Sequence, residues 1–246
     1  MKKESVIDEI LEKTRARVSE LKKRRDIRSQ IKSAKRDGRV PVIAEIKPAS
    51  PLKDLKTISD PAEVVSAMER GGAAGISVLT EPHFFKGSIE LLRSVTGMTS
   101  LPVLRKDFII DPIQVMESAV SGADMLLLIA GILTEERLRE LYGLAVGLGL
   151  TPIVEVHTRS EIELAGFSDI IMINNRNLWD LTVDIRRTEE LIGYIDKKIV
   201  ISASGIKTRS DASRMIDCGA DAVLVGSSIM ESRDVESKVR ELVWGD

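Results

Sequence analysis

Lysine, glutamate, asparagine, serine and glycine recur in this chain at the ends of short aliphatic runs. Glu45 and Lys47 close the run that begins at Val40, Lys106 and Asp107 follow LPVLR, and Glu155 ends TPIV. Asn174 and Arg176 follow DIIMI, Ser204-Gly205 follows KIVISA, and Gly226-Ser227-Ser228 follows DAVLV. Two lysines and two glutamates converging on one place suit acid–base chemistry on an organic substrate. Charges held close together drive proton affinities apart and so separate an acid from a base. The glycine–serine pairs suit an anion, because backbone N–H groups at a helix start favour phosphate. Taken singly, each residue has a plainer role. Lys47 pairs with Glu45 or Glu155, Asp107 caps a loop, Asn174 satisfies loop backbone, and the glycines permit tight turns. Convergence of several strand ends on one mouth favours the functional role.

The elements that must position these groups follow from a rhythm that starts after residue 39. Eight nearly continuous apolar runs recur, at 40–46, 75–79, 101–105, 124–129, 150–156, 169–173, 198–203 and 221–226. Unbroken apolar character is expected of parallel strands covered on both faces. Between them lie amphipathic segments opened by Asp60-Pro61, Asp111-Pro112 and Thr134, with the chemistry of helix caps. Eight strand–helix units in about this length predict a single closed (β/α)8 barrel. An open doubly wound sheet would place a glycine-rich turn after the first strand. This chain has Lys47-Pro48-Ala49-Ser50-Pro51 there. In a barrel, the loops after strands 7 and 8 commonly bind phosphate beside a short extra helix, a role that SSIMES fits. The residues therefore point to acid–base catalysis on a phosphorylated small molecule.

Residues 1–39 are expected to form a helical extension packed on the barrel, and 40–246 the barrel itself. Val6, Ile7, Ile10, Leu11, Val18 and Leu21 share one helical face, predicted to dock on a barrel end. The other face is basic: Lys2 to Arg36 holds 13 basic and six acidic residues in a chain of net charge −2. That near balance argues against an extended nucleic-acid surface. No apolar run approaches the ~20 residues a membrane span needs, and the charged MKKESVIDEILEK start lacks a signal-peptide core. A cytoplasmic protein, monomeric or weakly oligomeric, is expected. One cysteine, Cys218, and two histidines, His83 and His157, make a His/Cys metal site implausible. Both histidines read as loop or surface residues, and Cys218 as a small buried filler. Phe84-Phe85 could pack an aromatic substrate or fill core beneath a loop.

Six segments carry a family resemblance: VIAEIKPASP (42–51), SVLTEPHFFKGS (77–88), LPVLRKDFI (101–109), PIVEVH (152–157), INNRNL (173–178) and VGSSIM (225–230). In their order and spacing they resemble indole-3-glycerol phosphate synthase of tryptophan biosynthesis. The resemblance implies ring closure of 1-(o-carboxyphenylamino)-1-deoxyribulose 5-phosphate with loss of CO₂ and water, without a cofactor or metal. It implies Lys106 as the general acid and Lys47 as the carboxylate-binding lysine and dehydration acid. Glu45 and Glu155 become base and electrostatic stabiliser, and Asn174 and Arg176 position groups. Phe85, Phe108 and Leu127 would line the aromatic pocket, and Ser50, Ser204, Gly205, Gly226 and Ser227 the phosphate. Two departures stand out. Ala203 replaces the family's usual glutamate before Ser-Gly, and the loop after strand 1 reads Ser50-Pro51-Leu52-Lys53-Asp54. Alternatives are another phosphosugar lyase or isomerase, or a barrel that binds phosphorylated ligands without turnover.

Overall fold

The computed structural model describes residues 6–21, 24–50, 53–54 and 60–245. In chain order its helices and strands are α1 (Val6–Leu21), α2 (Ile27–Arg36), β1 (Val42–Ile46), β2 (Ala49–Ser50), β3 (Lys53–Asp54), α3 (Pro61–Arg70), β4 (Gly75–Leu79) and α4 (Ile89–Thr96). There follow β5 (Val103–Lys106), α5 (Pro112–Val120), β6 (Met125–Ile129), a one-turn helix at Ala130–Ile132, α6 (Glu135–Gly147), β7 (Thr151–Val156) and α7 (Arg159–Leu164). The chain continues through β8 (Ile170–Asn174), α8 (Arg186–Ile192), β9 (Ile199–Ala203), α9 (Arg209–Asp217), β10 (Ala222–Val225), α10 (Ser227–Met230) and α11 (Val235–Trp244). Eight of the strands close a parallel barrel in the order β1-β10-β9-β8-β7-β6-β5-β4, while β2 and β3 pair as a small hairpin. The fold is the (β/α)8 barrel that the sequence rhythm predicts.

Strand parity sorts the barrel into two apolar layers. Val42, Ala44 and Ile46 of β1 face the helices, whereas Ile43 faces the interior with Leu104, Leu127, Ile153, Met172, Ile201 and Leu224. The period of two along each strand requires this alternation. It also carries upward: Glu45 lies two residues beyond Ile43, Lys106 beyond Leu104, Glu155 beyond Ile153 and Asn174 beyond Met172. The polar groups named above thus stand on the interior face, stacked over the apolar plug.

The amino-terminal segment divides in a way the single amphipathic stripe did not predict. Asp26 accepts the Arg28 and Ser29 N–H groups and starts a second helix, α2. Its Ile27 and Ile31 are buried in the interior cluster and close the barrel floor. Each such burial contributes about 1.5–3 kcal/mol. Gly75 makes room, since a Cβ there would lie 3.1 Å from Ile27 Cδ1. Arg25 fixes the entry, donating to Asp124 at 2.7 Å and to the carbonyl of Thr99 at 2.6 Å. On α1, Ile7, Ile10, Leu11 and Val18 remain exposed. Four of the six residues of the expected docking stripe are thus exposed, and the side chains of Val6 and Leu21 lie outside the described residues. Ile27 and Ile31, brought in by the Asp26 cap and the Arg25 clamp, already fill the floor.

Candidate active site

The mouth of the barrel is built by the carboxyl ends of the strands. Glu45 is buried at the end of β1, and both lysines reach it: Lys47 Nζ lies 3.9 Å from Oε1 and Lys106 Nζ 3.9 Å from Oε2. Ser77 of β4 donates to Oε2 at 3.4 Å. The same carboxylate leans on Gly226, where a Cβ would fall 2.5 Å from Oε1. That glycine is thus required by close approach, whatever turn it makes. Burial pushes the Lys47 ammonium below the ordinary lysine range. Lys106 and Arg176 add to the fall, and only the Glu45 carboxylate opposes it.

Across the mouth, Glu155 is buried on β7 and accepts from Asn174 Nδ2 at 2.9 Å. Its Oε2 is buried with no hydrogen-bond partner among the described residues. Asn174 also accepts the Arg176 N–H through Oδ1 at 3.0 Å, so it serves both the loop and the carboxylate. Arg176 is held by its guanidinium, which donates to the Leu181 carbonyl at 2.8 Å. Asp107 is the loop cap of the plainer reading. It accepts from Thr80, from Arg105 and from the Phe108 N–H. These partners tie it to the β5 side, so it does not fill the space left by Ala203, which is buried at the end of β9.

The aromatic groups sit on the β4–β5 side. Glu81 gathers the N–H groups of His83, Phe84 and Phe85 at 2.7–3.0 Å and shapes the loop after β4. Burial alone would raise the Glu81 pKa, but these three N–H groups hold it below the usual carboxylate range. Phe85 and Phe108 have ring centroids 6.3 Å apart, and Lys47 Nζ stands 5.6 Å over the Phe85 ring. With Leu79, Leu127, Ile129, Ile132 and Leu178 they line an apolar cavity of about 280 Å³. Phe84 is 66% exposed at its rim, so core filling does not apply to it.

The second cavity, about 500 Å³, lies over β9 and β10 and is lined by Ser204, Gly205, Gly226, Ser227 and Ser228. Ser204 takes a left-handed φ of 70° and Gly205 one of 82°. A side chain at Gly205 would meet Val183 Cγ1 at 2.8 Å. Asn175 donates to the Ser204 carbonyl at 3.0 Å and to Ser202 Oγ at 3.2 Å, while Thr188 donates to Asn175 Oδ1 at 2.8 Å. This buried network fixes the turn and escaped sequence reasoning. Ser227 opens the short helix α10. Lys47, Lys106, Arg176 and Ser204 border both cavities. Ser50 belongs to β2, and its side chain lies outside the described residues, as do Pro51 and Leu52.

Two minor readings are sharpened. His157 lies in the loop after β7, as expected, but away from the surface: it is 9% exposed and flanked by Glu155 and Glu161. Its place two residues past Glu155 on the inward parity was the available signal. Cys218 is only half-buried, and its Sγ donates to the Met215 carbonyl at the end of α9.

Comparison with known proteins adds a family to this geometry. The family model for indole-3-glycerol phosphate synthase matches residues 2–242. The indole-3-glycerol phosphate synthase of Dehalococcoides mccartyi is 48% identical over 211 residues, covering 83% of this chain and 82% of that protein. The Campylobacter jejuni protein of the same name is 39% identical over 257 aligned positions, covering 97% of this chain and 100% of its own. Among solved structures, 3-hexulose-6-phosphate synthase from Salmonella typhimurium superposes with a TM-score of 0.68 at 14% identity, covering 82% of this chain and 96% of that one. That last likeness shows the fold alone.

Proposed function

The chain belongs to the indole-3-glycerol phosphate synthase family, and from that premise we propose how its own residues divide the work. The activity is that of the family: a carbon–carbon lyase of tryptophan biosynthesis acting on a phosphorylated small molecule. It closes the ring of 1-(o-carboxyphenylamino)-1-deoxyribulose 5-phosphate, releasing CO₂ and water. The observation that carries the division of labour is the shared border of the two cavities, at Lys47, Lys106, Arg176 and Ser204.

The carboxyphenyl ring occupies the apolar cavity against Phe85, Phe108 and Leu127, where aromatic packing adds about 0.5–1.5 kcal/mol beyond buried area. The phosphate lies over Ser204, Gly205, Gly226 and Ser227, with Ser50 as a further contact. The ribulose carbonyl then spans the border. Lys106 protonates its oxygen as the ring carbon attacks, which removes the cost of an alkoxide in a low-dielectric site. The carboxylate, held by Lys47, leaves as CO₂ because its electron pair restores the aromatic ring. Lys47 then protonates the departing hydroxyl in the dehydration. Glu45, 3.9 Å from both lysines, aligns them and favours the charged form of Lys47. Glu155, with no lysine partner among the described residues, accepts on Oε1, beside the His157 ring, the proton that the intermediate must lose. Asn174 orients Glu155, and Arg176 lends its charge to the border. No step needs a redox or metal cofactor, since electrons move only within the substrate.

A cytoplasmic setting and a monomeric or weakly oligomeric state complete this reading, and light scattering of the purified protein tests the second. The function is tested by incubating the protein with the carboxyphenylamino-deoxyribulose phosphate. Equal amounts of CO₂ and indole-3-glycerol phosphate are expected. A folded preparation that forms neither overturns the reading.

A further inference from the structure

His157 has no part in the chemistry above, yet it is placed against it. It follows Glu155 by two residues and leaves β7 on the same face. Its Nδ1 lies 3.4 Å from Glu161 Oε2 and its Nε2 3.5 Å from Glu155 Oε1. Glu161 Oε2 also accepts the His157 backbone N–H at 2.7 Å, so that side of the ring is anchored twice. Nε2 is buried without a hydrogen-bond partner among the described residues, and so is Oε2 of the facing Glu155.

A neutral imidazole carries one N–H and one lone pair. With carboxylates at both nitrogens, one carboxylate must face the lone pair unless an extra proton is present. Glu161 holds its charge. Burial would raise its pKa, but the His157 ring and backbone N–H outweigh that and keep it lowered. The N–H of a neutral ring therefore belongs on Nδ1, and the lone pair of Nε2 faces Glu155.

Among the described residues, the other elements around the ring bring no competing charge. On α7, Arg159 and Glu163 pair with each other at 3.2 Å on the surface. The turn at Ala130–Ile132 packs on β7 with no ionisable side chain, and its Gly131 lies against the Glu161 carboxylate. From β8, Asn174 offers only its amide, to Glu155.

We propose that His157 is a positioning residue that acts through Glu155, supporting its proton uptake when neutral and blocking it when protonated. When Glu155 takes a proton from the substrate, the electron pair of the broken bond stays on the substrate. The new O–H donates to the Nε2 lone pair, and the proton later leaves through the same carboxyl. When the ring is protonated, Nε2–H instead donates to the Glu155 carboxylate and occupies the oxygen that should receive the proton. The 3.5 Å separation is too long for a full hydrogen bond and short enough for either proton to close it. Turnover should therefore fall on the acid side as the imidazole titrates.

This inference rests on Glu155 being the base, and the two are tested separately. The chain has only two histidines, so imidazole signals are assigned in NMR spectra with His83→Gln as the reference. Replacing Glu155 by Gln removes the negative charge 3.5 Å from Nε2, so the His157 signal should respond at lower pH than in wild type while His83 stays in place. An unmoved His157 titration overturns the inference, whatever the activity of Glu155→Gln. In turnover, His157→Asn should lose the acid limb, since no imidazole remains beside Glu155. Its kcat should fall on the order of 10- to 100-fold, the lower part of the acid–base range, with KM nearly unchanged. His157→Gln should likewise lack the limb. An acid limb retained by folded His157→Asn or His157→Gln also overturns it. Full activity in Glu155→Gln would instead overturn the assignment of the base.

Discussion

The two cavities at the barrel mouth are made from the same strand ends and the same inward parity, yet they are built by different means. The cavity over β4–β6 takes its shape from side chains: Phe85, Phe108, Leu127 and Ile129 set an apolar wall. The cavity over β9 and β10 takes its shape from backbone, with Ser204 and Gly205 at left-handed φ and Gly226 cleared of any Cβ. A flat ring with a carboxylate needs area and one cation. A phosphate is bound by N–H groups that point at it, and unhindered backbone at a helix start supplies them. Under the proposed function the four residues common to both sides hold the reacting atoms, and three of them are cationic side chains. On that reading the difference assigns binding chiefly to the two flanks and chemistry to their border.

The comparison can be broken first at the border. Lys106→Met should lower kcat by about 10²–10⁴, the range for removing a positioned acid, in a steady-state turnover assay. Gly226→Ala comes next. A Cβ 2.5 Å from Glu45 Oε1 must displace the carboxylate that aligns both lysines. A fall in kcat/KM of roughly 10- to 100-fold is expected, about 1.4–2.8 kcal/mol. Inorganic phosphate should also inhibit this variant less well than wild type.

The flanks should give smaller and separable effects. Phe85→Ala should raise KM roughly tenfold, as expected for removing about 1.4 kcal/mol of ring packing, with kcat within about threefold. Inhibition by inorganic phosphate should not change, because that flank is untouched. The smallest effect is a pH shift. Lys47 sits below the ordinary lysine range chiefly through burial, so its charge is lost earlier on the alkaline side than for an exposed lysine. KM should therefore rise with pH through that titration. Glu45 is the group that opposes the fall, so Glu45→Gln should move the alkaline rise in KM to still lower pH. A rise left at the same pH in Glu45→Gln would separate Lys47 from Glu45.

The barrel was legible because its signals are local. Continuous apolar runs, aspartate–proline helix starts and strand-end polar residues each sit within a few positions of one another. Parity does the rest, carrying Glu45, Lys106, Glu155 and Asn174 to one mouth. What stayed hidden depends on distant partners. Asn175, Thr188 and Ser202 read as ordinary polar residues until the fold joins them across 13 and 14 positions of chain. Arg105, on the outward parity and only 3% exposed, is satisfied by Thr80, Ser118, Asp107 and Glu117 from three elements and their loops. Within the helical extension the division was hidden too. The longer stripe is on α1, but the residues that fill the barrel floor are Ile27 and Ile31 of α2, delivered by the Asp26 cap.

The claim that flanks bind and the border reacts is tested most directly by calorimetric titration of Lys106→Met with a substrate analogue whose ribulose carbonyl is reduced to the alcohol. That analogue keeps the ring, carboxylate and phosphate but has no carbonyl to protonate. The account predicts a Kd within about fivefold of wild type, under 1 kcal/mol, in a variant that has lost nearly all turnover. Binding lost in parallel with turnover would contradict it and make Lys106 one more group that holds the substrate.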